Sequence, residues 1–534
     1  MSSTTPFSDD QVWLSADTKI EPLACRWYAW SHLVSPGVLA LNLAFRHVPI
    51  IKSFFANPPA HVRSARDPKF LCAPFMQLEQ SDLPAVKALM HDITTRYARF
   101  VQFAADLVSL EQRLRQAAKG QSLDGFYEEL PPTLVGLVEL TYDLGNNPTI
   151  RLLEEFLYDC DLDISDTQEL AFFNTADASR SFFLNTPRLP TAERMLLKMP
   201  FRDERVGQIA AARITPTSFG DLCRALQLET DDARRFRQYF NKVPPPRSQP
   251  EYRGAEVRIR YFGHAAVLIQ SAQTSIMIDP VVAWEQGEGR LTFADLPDFI
   301  DYVFLTHNHQ DHVCLEVLLQ LRGRIGKIIV PRNNPGCLAD PSLKLMLQSI
   351  GFDSVVALDS LEEIRFRDGS ITSVPFYGEH SALNIFSKHG MLLQMNARKL
   401  LFVADADCVD RGLYARLAAR TGRIDTLFIG MECYGAPLSW LYGPYFSMPI
   451  SRRDDEARRL SGSNCARAWA VVEELRPRRV FVYAMGQEPW LRHLLGLQYD
   501  ADSIQITESA QLVQRCQAAG LESERLFCSK EILT

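Results

Sequence analysis

The tightest constraint on this chain is the stretch Leu305-Thr306-His307-Asn308-His309-Gln310-Asp311-His312. It puts three imidazoles and a carboxylate within six residues. The apolar run before it, residues 301–305, reads as a buried strand. Histidine is scarce, 11 in 534 residues, so three at this spacing are not incidental. Residues leaving a strand end can turn His307 and His309 onto one metal ion. Asp311 and His312, slightly further on, then face a second ion beside it. The bland alternative, a polar loop of solvated histidines, leaves the spacing unexplained.

The length favours two to four domains, each with room for a core. With 46 % hydrophobic and 23 % charged residues the composition is globular. A net charge of −7 argues against general nucleic-acid binding, which needs a basic footprint. Residues 1–10 carry neither a basic n-region nor an apolar h-region, so no signal peptide is expected. No uninterrupted apolar run reaches the roughly 18 residues of a membrane span. The 11 cysteines are scattered and never spaced C-x-x-C, which fits free thiols and a cytoplasmic location. Cys314 and Cys408 lie near the metal motifs but are read as small buried filler.

Residues 242–254, Lys-Val-Pro-Pro-Pro-Arg-Ser-Gln-Pro-Glu-Tyr-Arg-Gly, divide the chain, because four prolines stop any helix and stiffen a link. Before them, apolar residues recur at spacings of three and four from Leu83 to Leu114, which predicts one long helix from Ser81 to near Gly120. The aromatic and β-branched mixture of Trp27 to Phe55 is expected to supply strands. His32, His47, His61 and His91 are isolated and read as structural or surface residues. After the divider, eleven short β-type runs follow, among them 275–278, 302–305, 363–366, 400–403, 426–429 and 479–483. Helical patterns interrupt them at 314–322, 340–350, 411–420, 464–475 and 507–519. This order predicts two packed sheets with helices outside.

Further acidic positions join the cluster. The apolar run Lys399–Ala404 ends in Asp405, placed to bridge two cations; Asp407 is read as its neighbour, either solvated or supporting the ligands from behind. Glu379 and His380 follow another strand side by side. Side chains alternate in extended chain, so only one of the two is expected to reach a metal. Asp279 also ends a strand and is expected to orient a ligand by a hydrogen bond rather than to bind metal. His264 either lines the site or is a packed, satisfied histidine.

These residues carry a family resemblance. Tyr261-Phe262-Gly263-His264, Ile278-Asp279-Pro280, His307-x-His309-x-Asp311-His312 and Ala404-Asp405 resemble, in that order, the metallo-β-lactamase fold, an αββα sandwich with two metals at one edge. Most hydrolases of that fold finish the site with a histidine near the C-terminal end. Here the matching stretch, 479–488, has none, and His493 lies beyond it in a helical-looking segment. Over essentially its full length the chain is more similar to the diiron β-hydroxylases of nonribosomal peptide assembly lines, the chloramphenicol-pathway type. The resemblance implies an α+β fold: a mainly helical α/β dimerisation domain (1–241), the Pro-rich linker (242–254) and a metallo-β-lactamase-type αββα catalytic domain (255–534). It implies Glu379 rather than His380 as the ligand. The expected set is then His307, His309 and Glu379 on one iron, Asp311 and His312 on the other, and Asp405 shared, with Glu379 and Asp405 central to catalysis.

Three carboxylates with three imidazoles suit iron, whose higher oxidation states prefer hard oxygen donors. By the resemblance, O2 is the co-substrate. The substrate is an amino acid, aromatic or branched aliphatic such as leucine, held as a thioester on a carrier domain of a nonribosomal peptide synthetase in antibiotic biosynthesis. Neither a flavin- nor a nicotinamide-type Gly-rich fingerprint is found, nor iron–sulfur cysteine spacing, so electrons are expected from an outside donor, an electron-transfer protein or a reductase. Trp440, Tyr442, Tyr445 and Phe446 either wall the substrate channel or pack as an aromatic loop on the sheet. Arg452, Arg453, Arg458 and Arg459 are candidates for an acidic carrier's docking patch, diluted by Asp454, Asp455 and Glu456. The alternatives are a zinc-dependent hydrolase of the same fold, a flavodiiron oxygen reductase, which the front half does not fit, and a non-catalytic carrier-binding protein.

Overall fold

The computed structural model describes residues 10–534 except 246, 249, 288 and 497. The N-terminal residues read for a targeting signal, apart from Asp10, and the linker's Pro246 and Gln249, therefore lie outside the described residues.

The back half is two seven-stranded sheets face to face. The first runs Val355–Leu358, Ile325–Pro331, Ile300–Phe304, Ser275–Ile278, Val267–Gln270, Arg258–Tyr261, Lys530–Leu533. The second runs Glu363–Phe366, Gly369–Val374, Gly390–Met395, Arg398–Phe402, Thr426–Gly430, Arg479–Tyr483, Glu522–Arg525. One residue set from each strand meets between the sheets: Ile259, Val267, Ile269, Ile276 and Phe304 pack against Ile371, Leu393, Phe402, Phe428 and Phe481. The alternate set faces outward. On the second sheet Leu401, Leu427 and Val480 are covered by the helices Arg411–Thr421, Cys465–Leu475 and Ile504–Ala518. Two apolar faces per strand explain why these runs are apolar throughout rather than alternating.

The outer face of the first sheet (Leu268, Met277, Val303, Ile328) is continuous with the core of the front half. That front half contains a four-stranded sheet built on Lys19–Ala24 and Gln168–Phe173, which pair antiparallel, and a set of helices. Two expectations need correction. The predicted long helix is two, Leu83–Thr94 and Ala98–Ala117. Thr94 and Thr95 donate their hydroxyls to the Met90 and His91 carbonyls, and this competition with the helical ladder marks the break. Trp27 to Phe55 contributes only the short strand Trp27–Tyr28; the rest is helical, with a π-helical turn at Leu43–His47. Full burial overrides β-propensity there. The run Pro36–Ala56 is long and apolar enough by composition to span a membrane, yet 56 % of its most apolar window is buried inside the protein.

Candidate metal centre

Every site residue leaves the C-terminal end of a strand at one edge of the sandwich. His264 follows Arg258–Tyr261, Asp279 follows Ser275–Ile278 and the His307–His312 loop follows Ile300–Phe304. Glu379, Asp405 and Glu432 follow Gly369–Val374, Arg398–Phe402 and Thr426–Gly430. Several exits turn through left-handed backbone at non-glycine residues: His264 (φ 52°), Asp279 (φ 39°), Glu379 (φ 64°) and Ala404 (φ 47°). Such strain persists where the surrounding fold over-determines it. Glycine is required beside Asp405, because a Cβ on Gly430 would sit 2.6 Å from Asp405 Oδ1.

The donors converge in three overlapping groups: His307, His309 and Glu379; His307, His312 and Asp405; His264, Asp311 and His312. His309 Nδ1 lies against Glu379 Oε1, with His307 Nε2 3.6 Å from the same oxygen. His312 Nε2 is 3.1 Å from Asp405 Oδ2 and 3.7 Å from Asp311 Oδ2, and His307 Nε2 is 3.8 Å from Asp405 Oδ2. Asp405 thus stands between the two subsites. All these residues are buried, yet His307 Nε2, Glu379 Oε2 and Asp405 Oδ1 have no hydrogen-bond partner. Buried polar atoms are rarely left so, and convergent orphan donors fit cations. Among the described residues no Lys or Arg forms an ion pair with any of these seven.

The outer residues are aimed as well. His312 Nδ1 is 2.7 Å from Asp279 Oδ2, so its N–H goes to the carboxylate and Nε2 faces the site. Asp279 is itself fixed by the Thr306 amide (2.7 Å) and hydroxyl (2.6 Å). The Gly486 amide donates to His264 Nδ1 (3.1 Å), which leaves the proton on Nε2, 3.0 Å from Asp311 Oδ2. His264 is therefore a satisfied histidine that also orients Asp311. Asp407 is held by Arg467 and Ser463.

Strict alternation of Glu379 and His380 does not hold. Because Glu379 is left-handed rather than extended, the His380 ring lies alongside His309, 4.6 Å between centroids. His380 Nδ1 is 2.8 Å from Glu379 Oε2, yet neither of its nitrogens makes a hydrogen bond. Burial pushes His380 down to about 4, with Glu379 opposing it only in part. Burial also disfavours the ionised Glu379, but His309, His380 and His307 outweigh it and hold the carboxyl well below its usual value. At His312 burial opposes the charge, and Asp405, Asp279 and Asp311 together hold the imidazole well above its usual value.

The donors open into a cavity of about 360 Å³ walled by Ala436, Pro437, Trp440, Leu460 and Leu495, with Glu432, Tyr434 and Arg459 among the polar residues. Cys72, Pro437 and Trp440 also line a neighbouring cavity of about 630 Å³ between the front half and the aromatic loop. The aromatic loop is integral to the site. Tyr442 OH is 3.2 Å from His309 Nε2, and Tyr445 OH bonds His32 (2.6 Å) and Asn42 (2.9 Å) of the front half. Of the four arginines only Arg459 lines the metal cavity; Arg458 donates to the Ser381 carbonyl, and Arg452 and Arg453 are exposed. Cys314 and Cys408 are buried, and none of the eleven cysteines is in a disulfide.

Thr306, Glu432 and His389 were not singled out in the sequence, and Tyr442 was read as a channel-wall candidate rather than as a partner of His309. His389 stacks on Phe304 (4.2 Å), lies with Nε2 3.0 Å from the Leu305 carbonyl and donates its amide to the Thr306 carbonyl (2.8 Å), fixing the metal loop from behind. Only Glu432 offered a signal, an acidic residue just past a strand end like Asp405.

Comparison with known proteins agrees with this geometry. The N-terminal domain of diiron non-haem beta-hydroxylases matches residues 13–244, and a beta-lactamase superfamily domain matches 274–482. A 4-amino-L-phenylalanyl-peptidyl-carrier-protein 3-hydroxylase of Streptomyces venezuelae is 34 % identical over 527 residues, 97 % of this chain and 99 % of the relative. The crystal structure of CmlA, a diiron beta-hydroxylase from Streptomyces venezuelae, superposes with a TM-score of 0.92 at 33 % identity, covering 99 % of this chain and 100 % of that one. A variant of that enzyme gives 0.90 over 98 % of this chain and 100 % of its own. The chain belongs to the CmlA-type diiron beta-hydroxylase family, with a metallo-β-lactamase-fold domain behind the family's N-terminal domain.

Proposed function

We propose that this protein is an O2-dependent diiron monooxygenase that hydroxylates the β-carbon of an aromatic or branched aliphatic amino acid held as a thioester on a carrier domain of a nonribosomal peptide synthetase. The observation that carries the reading is the set of buried donors with unpartnered atoms and, among the described residues, no Lys or Arg ion pair, in a chain of this family. His307, His309 and Glu379 would hold one iron, Asp311 and His312 the other, with Asp405 shared. When bound, the irons supply O2 activation; an external reductase supplies electrons. The protein's part is orientation and exclusion of water. Asp279 and Thr306 keep the His312 proton on Nδ1, His264 aims Asp311, and Tyr442 caps His309. Trp440, Leu460 and Leu495 provide the dry wall beside them. The hydrolase alternative lacks support from its usual histidine: the His493 ring packs on Tyr28, beside the Glu21 cluster and away from the cavity.

The division at 242–254 and a dimer through the front domain belong to the same proposal. Exposed Val135, Leu144 and Phe156, around the hairpin Val138–Tyr142/Pro148–Leu152, offer an apolar contact for a second copy. Light scattering on the full chain reads this directly. The activity is tested by mass spectrometry of aminoacyl-carrier proteins after reaction with O2 and reductant. A gain of about 16 Da, one oxygen atom, is expected on the loaded carrier and none on the free amino acid, which lacks the binding energy of the tethered arm. Stoichiometric zinc with hydrolysis of the thioester would replace this reading with the hydrolase.

A further inference from the structure

Glu432 is the one acidic side chain of the metal cavity with no task in the ligand set. It lines the cavity with His309, Asp311, Glu379 and Asp405, but belongs to none of the groups whose donor atoms converge. Among the described residues its carboxylate has no hydrogen-bond or ion-pair partner. The nearest cationic candidate on that wall, Arg459, is engaged elsewhere: Nε donates to the Gly435 carbonyl, Nη1 pairs with Glu456, and the guanidinium lies over the Tyr434 ring at 4.0 Å. Its backbone is confined, since a Cβ on Gly462 would meet Glu432 Cβ at 3.3 Å and one on Gly435 would meet Leu460 O at 1.4 Å. A half-buried, fixed, unpaired carboxylate beside a cluster of carboxylates is costly unless a cation arrives.

Resting on the function proposed above, we infer that Glu432 is a positioning residue that binds the α-ammonium group of the substrate. A thioester-linked amino acid has one cation near its reacting carbon, the α-amine, whose ordinary pKa of about 7.7–8.0 leaves it charged at neutral pH. The β-carbon is bonded to the carbon that bears it. Fixing the ammonium on one wall therefore fixes the distance of the β-carbon from the donors on the other, and a charge-assisted hydrogen bond gives the strength and direction required. The same contact selects aminoacyl over plain acyl groups, because an analogue without the amine leaves the carboxylate unpaired.

The test uses amide-linked phenylalanyl- and leucyl-pantetheine and their des-amino counterparts, with binding measured by calorimetry on the iron-loaded full chain. Wild type is expected to bind the better amino form at least tenfold more tightly than its des-amino counterpart. Glu432→Gln should erase that preference while leaving des-amino binding within about twofold and iron content unchanged; Glu432→Asp should restore part of it. Equal binding of amino and des-amino forms by wild type overturns the proposal, as does an equal loss of both in Glu432→Gln. Loss of iron in Glu432→Gln would make it a metal ligand instead. Wild-type hydroxylation of the loaded carrier, read separately, stands or falls independently of these outcomes.

Discussion

Two buried groups of carboxylates and histidines in this chain have nearly the same composition and opposite character. Glu21, Glu316 and His493 bring ligand atoms as close together as the metal-centre residues do. Yet Arg180 binds Glu21 (3.0 and 2.6 Å) and Glu316 (2.9 Å), and Arg188 binds the second Glu21 oxygen (2.7 Å). Burial works against an ionised Glu21, but Arg188 and Arg180 outweigh it and hold the carboxyl down. This group joins the front half to the catalytic half, with Glu316 taking the Trp284 indole N–H as well. At the metal centre no guanidinium of the described residues forms an ion pair, and His307 Nε2, Glu379 Oε2 and Asp405 Oδ1 stay without a hydrogen bond. Proximity of His, Asp and Glu is therefore not what defines a metal site; buried ligand atoms left without a hydrogen bond, faced by imidazoles rather than guanidinium groups, do so here.

The comparison can be broken by removing one member from each cluster. Arg180→Met leaves the buried Glu316 carboxylate without a cation and Glu21 with Arg188 alone, and should cost about 3–5 kcal/mol. In metal-stripped protein Glu379→Ala should cost less, about 1–2 kcal/mol, since only imidazoles face its carboxylate and one of its oxygens has no hydrogen bond. Urea midpoints of the stripped proteins measure both, and a similar loss in the two variants would erase the distinction.

Glu154 shows a third way to bury a carboxylate, by keeping its proton. It accepts from the Ser342 amide (2.9 and 3.1 Å) across the two halves, and burial pushes it up to about 7. A raised carboxyl pKa means the folded chain holds the proton longer than the unfolded one. Its stabilisation is complete below about 4.5 and is lost as pH rises through about 7, by at most ~3 kcal/mol. Glu154→Gln should flatten that part of the stability–pH curve, and an unchanged slope would remove Glu154 as its source.

Metal removal should act on one cluster only. At iron 100-fold above Kd the metal-loaded wild type gains about 2.7 kcal/mol. A chelator should abolish that gain in wild type and have little effect on Glu379→Ala, by thermal melts. Asp279→Ala should be milder, lowering metal affinity about 10–100-fold through a freed His312 ring. No change on titrating iron would show that the Asp279 bond is dispensable.

Much of the catalytic half was legible because its signals are local. Ser275–Ile278, Glu363–Phe366 and Arg479–Tyr483 coincide with the runs expected, and the metal loop is contiguous in sequence. Glu522–Arg525 and Lys530–Leu533 were missed because edge strands are charged and carry a weak apolar pattern. The Arg180 cluster was invisible, joining residues 159 and 136 positions apart. His389 likewise acts through a contact 84 positions away, and Tyr442, read only as a channel-wall candidate, reaches His309 across 133 positions. The Glu379–His380 ambiguity arose from assuming extended backbone at a left-handed residue.

The account rests most directly on the metal content of wild type, Glu379→Ala and His380→Ala purified with iron under reducing conditions. It predicts about two irons per chain in wild type, a collapse in Glu379→Ala, and retention of most of the iron in His380→Ala. Iron retained in Glu379→Ala but lost in His380→Ala would reverse the ligand assignment and contradict the proposed centre.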